Sequence, residues 1–227
     1  MAQNTLYLNR VKYDELYDRY KKYGVEVQPS YLRYEKELQN GVNHYPFSFE
    51  PSPSDSPTEK KLNKNDGFYV TSFTFGYIVL GTILAATEGG TARTVIEANA
   101  PLRTFPVTGA ENLEALYNGF LRITTGSKIN IENLSTLNFK YIQDNLVSGT
   151  VFPEFQNDKV SYANISDLML MGTKSHTMSI DIPAIPNTEK LIPSTIDGIS
   201  SARVKIVLQL NGYLLKNGAI IAQQENF

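Results

Sequence analysis

From Arg203 to Leu210 the chain alternates without a break: Arg203, Lys205, Val207 and Gln209 interleave with Val204, Ile206, Leu208 and Leu210, and Gly212-Tyr213-Leu214-Leu215 carries the run on to Asn217-Gly218. Only a β-strand sends successive side chains to opposite faces, so this segment predicts one packed face and one largely wet face. A strand so close to the C-terminus is ordered only when a neighbour pairs with it, which makes it part of the framework and places the end of the chain inside a sheet.

The same period-2 pattern recurs upstream. Tyr69, Thr71, Phe73, Phe75, Tyr77 and Val79 are expected on one face, against Val70, Ser72, Thr74, Gly76 and Ile78, and Met178, Ile180 and Ile182 alternate with Thr177, Ser179 and Asp181. Shorter runs at Thr94–Ala98, Phe120–Thr124, Lys128–Ile131, Asn138–Ile142 and Asp167–Met171 read as further strands. Turn residues separate them, as in Glu88-Gly89-Gly90, Thr125-Gly126-Ser127 and Gly172-Thr173-Lys174, at spacings typical of sandwiches and barrels. A single helix interrupts them, with Thr108 and Glu111 as a capping box, followed by Leu113 and Leu116 and a stop near Asn118-Gly119. One helix among so many strands argues against repeated crossovers and a parallel sheet. The expected fold class is mainly β: an antiparallel two-sheet β-sandwich, jelly-roll-like, over residues 65–227.

The N-terminal part has a different rhythm. Tyr13, Leu16, Tyr17 and Tyr20 stand at i, i+3, i+4 and i+7 among charged residues, predicting a helix over about residues 9–23 that Gly24 ends. Ser30 is placed to cap a second short helix carrying Tyr31, Tyr34 and Leu38, closed by Gly41. Residues 1–45 thus read as a helical arm, and residues 46–64, with Pro46, Pro51, Pro53 and Pro57 among Ser48, Ser52, Ser54 and Ser56, as an extended linker. The stripe Tyr13, Leu16, Tyr17, Tyr20 is the candidate interface, able to dock on its own body, a sister subunit or another protein.

With 227 residues the chain buries roughly 70% of its unfolded surface and needs no staple. The absence of Cys removes disulfides and thiolate metal sites. Residues 1–45 hold seven Lys/Arg against six Asp/Glu, residues 46–64 three of each, and residues 65–227 eleven against fourteen, so no segment is a basic arm for nucleic acid. The longest apolar stretch, Tyr77 to Ala86, is about half of the roughly 20 residues that a spanning helix requires and reads as a core strand. Met1 to Thr5 lacks the charged-then-apolar start of a secretory signal.

Chemistry is sparsely represented. The two histidines, His44 and His176, form no metal-ligand spacing, and His176 reads as a strand-flanking residue. No Gly-x-Ser-x-Gly elbow or phosphate-binding glycine loop occurs. The carboxylates Glu111, Glu114, Asp144, Glu154, Asp158, Asp167 and Asp181 are of the type that a glycosidase pairs, but most carboxylates merely solvate a surface. No catalytic, cofactor-binding or metal-binding residue is therefore assigned, no cofactor is expected, and the chain is not read as an enzyme.

Asn65-Asp66-Gly67-Phe68-Tyr69-Val70-Thr71, Phe105-Pro106, Leu113 to Ile123 with its Tyr117-Asn118-Gly119 turn, Phe139, and Arg203 to Gly218 with Gly212-Tyr213-Leu214 together resemble bacteriophage virion structural proteins over residues 65–218. The resemblance implies a jelly-roll subunit of the capsid, of a vertex or of a capsid-associated layer, located in the virion and partnered by its own copies or other virion proteins. It brings no catalytic residues. A body of 163 residues, counted from 65 to 227, is short for a double-barrel shell protein, which favours a single jelly roll. The alternative is a carbohydrate- or receptor-binding β-sandwich that recognises its ligand through loop tyrosines such as Tyr162.

Overall fold

A computed structural model of the chain describes residues 2–84, 92–94, 111–140, 161–184, 190–196 and 199–224. Among the described residues ten strands make two antiparallel sheets. The first contains β1 (Glu26–Glu37), β10 (Ile199–Lys216) and β3 (Gly67–Leu84) in that order, with β7 (Ser161–Met171) and the short β4 (Ala92–Thr94) on the far side of β3 and β9 (Thr195–Ile196) on the end of β10. The second runs β2 (His44–Phe47), β8 (His176–Asp181), β5 (Phe120–Thr125), β6 (Lys128–Ser135).

The pairing is nested. β1 pairs β10, β2 pairs β8, β3 pairs β7 and β5 pairs β6, all antiparallel, so the chain is one long hairpin rolled up on itself. Apart from the short β4 and β9, the two sheets are four strands each, β1-β10-β3-β7 and β2-β8-β5-β6, a jelly-roll-like order. The expected two-sheet sandwich is the observed one.

Inward residues of both sheets share one core. Leu32 and Tyr34 of β1, Phe73, Phe75 and Tyr77 of β3, and Ile206, Leu208 and Leu210 of β10 meet Tyr45, Phe47, Leu121, Ile123, Met178 and Ile180 of the second sheet. Phe75 lies 5.8 Å from both Tyr117 and Phe139, rings supplied by two short 3-10 helices at Glu111–Asn118 and Thr136–Phe139.

Several expectations change. The second arm helix is instead β1, whose full length is in register with β10 from Glu26↔Lys216 to Glu37↔Lys205. Tyr31, Tyr34 and Leu38 fit a helical spacing only by accident. Leu32 and Tyr34 are the buried pair, Tyr31 points outward and is 43% exposed, and a ladder over the whole strand outweighs a local cap. The body therefore does not begin at residue 65: residues 26–47 supply a strand to each sheet, and the boundary between arm and body falls near Gly24.

Residues 46–64 are not a solvated tether. Pro46 sits in β2, Leu62 is buried, and Lys60 exchanges both backbone hydrogen bonds with Arg33, at 2.8 and 3.0 Å. Local carboxylate bonds, set out below, hold this Pro/Ser segment down as a strap. Asn138 and Phe139 lie in a 3-10 turn rather than a strand, because the Ser135 hydroxyl accepts from the Leu137 N–H at 3.3 Å and starts the turn; Tyr141 and Ile142 lie outside the described residues. The internal helix is 3-10 over Glu111–Asn118, and its proposed cap Thr108 also lies outside them.

The strict alternation of β3 breaks at Thr71. Val70 pairs Gly212 and Ser72 pairs Asn211, so Thr71 is an extra residue whose hydroxyl donates to the Asn211 carbonyl at 3.1 Å. The bulge turns Phe68 and Val70 into the inter-sheet core and leaves Tyr69 on the outer face, with Tyr213 and Leu215 beside it. β10 does not end the described chain: α2 (Ala219–Gln224) follows and buries Ile221.

Candidate assembly surface

The predicted interface stripe lies on α1 (Ala2–Tyr20), which begins earlier than its spacing indicates and ends in a 3-10 turn, Lys21–Tyr23, capped by left-handed Gly24. The outer face of the first sheet offers it an apolar bed created by the Thr71 bulge. Leu16 and Tyr20 are buried there with Val25, Val27, Tyr69, Met171, Tyr213, Leu215 and Ile221. Tyr13 is half-buried against the Tyr213 ring, centroids 5.9 Å apart, and stacks on Tyr17 at 6.2 Å. Lys12 lies over the Tyr69 ring at 4.7 Å.

The four stripe residues thus divide. Leu16 and Tyr20 are spent inside the subunit and are not presented to a neighbour, because the amphipathic face finds an intramolecular surface first. Tyr17, 46% exposed, and Val11, 47% exposed, remain on the outer side of the helix. Tyr31 adds a second exposed ring on the outer face of β1, with Lys60 over it at 4.7 Å.

Toward the other end of β1 lies a charged latch that the sequence does not announce. Glu35 of β1 has a side chain only 1% exposed, and it accepts from Arg33 Nε at 2.8 Å and from the Thr58 hydroxyl at 2.6 Å, with Lys205 of β10 at 3.6 Å. Glu59 accepts from the Glu35 N–H at 3.0 Å and the Ser56 N–H at 3.1 Å. Asp55 accepts from Lys61 and from the Ser52 N–H at 2.8 Å. Burial works against ionisation of Asp55, but the Lys61 bond, the Ser52 N–H and the Lys61 charge outweigh it and hold the carboxyl below its ordinary range. Burial, reinforced by Glu59, pushes the Tyr34 hydroxyl far above its usual range. The cluster pins the strap to β1 and covers part of an otherwise open sheet edge. Its only signal in the sequence is the alternation Arg33, Glu35, Glu37, which becomes legible once β1 is recognised as a strand.

The remaining chemical candidates are scattered. Glu114 pairs with Lys140 at 2.8 Å, and Asp181 pairs with His44 on the open face of the second sheet. The side chains of Glu111 and Asp167, all of Asp144, Glu154 and Asp158, and the ring of Tyr162 lie outside what is described. Among the described residues no three His, Asp or Glu converge as metal ligands, and no helix is long and apolar enough to cross a membrane.

His176 opens β8, where it was expected to flank a strand, and ties that strand to its surroundings. Nε2 lies 2.7 Å from the Met171 carbonyl, while Nδ1 lies 2.9 Å from the Thr125 hydroxyl, which itself accepts from Asn130 at 2.8 Å. Nε2 also faces the Met171 N–H at 3.1 Å, so Met171 offers that nitrogen both a donor and an acceptor. Burial chiefly, and the Lys174 charge, lower its pKa against the opposing effect of the Met171 bond. The folded state therefore binds fewer protons than the unfolded chain once pH falls below the unfolded value of about 6.5. Stability contributed by His176 is complete above that pH and is lost as pH falls toward the lowered folded value. Urea unfolding at pH 7.5 and pH 5.5 is expected to show a pH penalty that His176→Gln reduces, by at most about 1.4 kcal/mol per pH unit; an identical penalty in the variant would contradict a lowered His176 pKa.

Comparison with known proteins adds no relative: no family model, no curated protein and no solved structure matches the chain.

Proposed function

We propose that the chain is a structural subunit of a bacteriophage virion, a single jelly roll in the capsid, at a vertex or in a capsid-associated layer, working by self-assembly or by binding other virion proteins rather than by catalysis. The observation that carries this reading is the nested strand order, first with last and inward, which is the architecture used by viral capsid domains. Edge control supports it. The strap covers β1, β2 has only four residues and contains Pro46, and β6 exposes Lys128 and Glu132, so uncontrolled strand addition is discouraged and contacts are left to faces and helices. Docked as it is, α1 turns Tyr17 and Val11 outward from a rigid bed, giving a neighbour a fixed surface to meet.

A test follows from this division of the stripe. The double variant Val11→Ser, Tyr17→Ser changes two exposed side chains and is expected to move stability by no more than about 0.5 kcal/mol each. Sedimentation over a range of concentrations should show the natural chain forming assemblies and the variant shifted toward monomer with an unchanged melting temperature. A natural chain that stays monomeric throughout would contradict self-assembly; normal assembly by the variant would move the contact away from α1.

A further inference from the structure

Toward its N-terminal end β10 carries a second bulge. Ser200 pairs Thr82 and Arg203 pairs Leu80, so Ser201 and Ala202 together stand opposite Gly81. A Cβ on Gly81 would sit 2.6 Å from the Ser200 carbonyl oxygen, which makes glycine necessary to let the bulged chain through. Ser201 has φ 52°, a left-handed conformation that non-glycine residues seldom adopt and that clusters at functional sites. Bulges of this sort re-aim side chains. The Ala202 N–H donates to the Ser194 carbonyl at 3.2 Å, Leu38 N–H to Val204 at 2.8 Å, and Ile192 N–H to Asn40 Oδ1 at 3.0 Å, which fixes three segments around a cavity of about 370 Å³.

The cavity is within the size range of small-ligand sites. Leu38, Ile192 and Ala202 pack toward the core and give it an apolar floor, while the exposed Ser194 and Ser201 line its rim. Arg203 and Lys190 bring two positive charges and Glu37 one negative charge, a balance that suits a monoanion better than a dianion. Arg203 Nη1 is 3.8 Å from Glu37 Oε1, too long for a hydrogen bond, and both side chains are exposed, so this contact leaves the guanidinium fork available to a carboxylate.

We infer that this cavity binds a small hydroxylated carboxylate of the hexuronic-acid class: carboxylate on Arg203 and Lys190, ring hydroxyls on Ser194 and Ser201, and the C–H face of the ring on the apolar floor. The site is separate from α1 and does not depend on the virion role. Titration of the full chain with D-glucuronate, methyl β-D-glucuronide, glucose and inorganic phosphate, followed by amide NMR shifts, tests it. Saturable shifts confined to residues 190–194 and 201–203 are expected with glucuronate, with glucose and phosphate at least about tenfold weaker, since each lacks one half of the recognition. Equal binding of the methyl glycoside would identify a sugar at the end of a glycan, and binding of the free acid alone a small solute. Arg203→Ala, or Lys190→Ala as a second variant, should weaken binding about tenfold and Glu37→Gln should strengthen it about threefold, as expected for removing or unmasking a charge-assisted bond. No saturable shift with either uronate, equal binding of glucose or of phosphate, or full affinity in both cation variants would overturn the inference.

Discussion

Deleting residues 1–47 is expected to leave a chain with no cooperative unfolding transition. The deletion removes β1 and β2, one strand from each sheet, and with them Leu32, Tyr34, Leu38, Tyr45 and Phe47 from the shared core. Each such side chain contributes roughly 1.5–3 kcal/mol by burial, so their loss together is comparable to the roughly 5–15 kcal/mol by which a domain is stable at all. It also turns β10, paired on both sides in the intact protein, into a long apolar edge, and aggregation should follow. Removal of residues 1–22 is a milder change, since it uncovers the bed of α1 but leaves both sheets whole; that fragment should keep a transition at lower temperature. Circular dichroism melting distinguishes the cases, and a fragment 48–227 that melts cooperatively near the temperature of the full chain would contradict the assignment of β1 and β2 to the sandwich.

Gly212→Ala is the single substitution expected to cost most, about 3 kcal/mol or more. A Cβ there would lie 1.9 Å from the Tyr69 carbonyl oxygen and 3.0 Å from its carbon, both backbone atoms that no rotamer change can move aside. The position is the partner of the Thr71 bulge, so relief would require undoing the bulge and returning Tyr69 and Tyr213 to the wrong face, which would dismantle the bed of α1. Thr71→Val, which removes only the hydroxyl bond to Asn211, should cost about 1 kcal/mol. Denaturant midpoints of the two variants give the comparison; a Gly212→Ala protein as stable as Thr71→Val would mean that the close approach is absent.

What could be read in the residues beforehand follows from how local each signal is. The inner face of β10, Val204 to Leu210, and the strands around Phe120–Thr124 and Met178–Ile182 announce themselves by simple alternation, because a half-buried strand writes its period into the chain. The face of β3 could not be followed past Thr71, since a bulge inserts one residue without any compositional mark except Gly212, far away in sequence. Residues 26–37 mislead for a related reason. Leu32 and Tyr34 supply only two inward apolar positions, the charged outward row Arg33, Glu35, Glu37 looks like a solvated helix face, and the partner that makes them a strand is β10. The Pro/Ser segment reads as a tether until Asp55 and Glu59 are seen accepting from its backbone, Lys61 is seen bonding Asp55 and Lys60 is seen pairing with Arg33. As to the candidate interface, spacing places Tyr13, Leu16, Tyr17 and Tyr20 along one helix but carries no information about which surface receives them: Leu16 and Tyr20 went inward and Tyr17 stayed outside.

Hydrogen exchange at the amides of β1 probes the rolled hairpin most directly. Arg33 turns its N–H and carbonyl toward Lys60, so Leu32, Tyr34 and Lys36 turn theirs toward β10. If first and last strands close the sheet together, the Leu32 and Tyr34 amides should open only with the whole domain, at the same free energy as those of Ile206 and Leu208. Exchange of Leu32 and Tyr34 many orders of magnitude faster than Ile206, as a tethered arm would show, would contradict that closure.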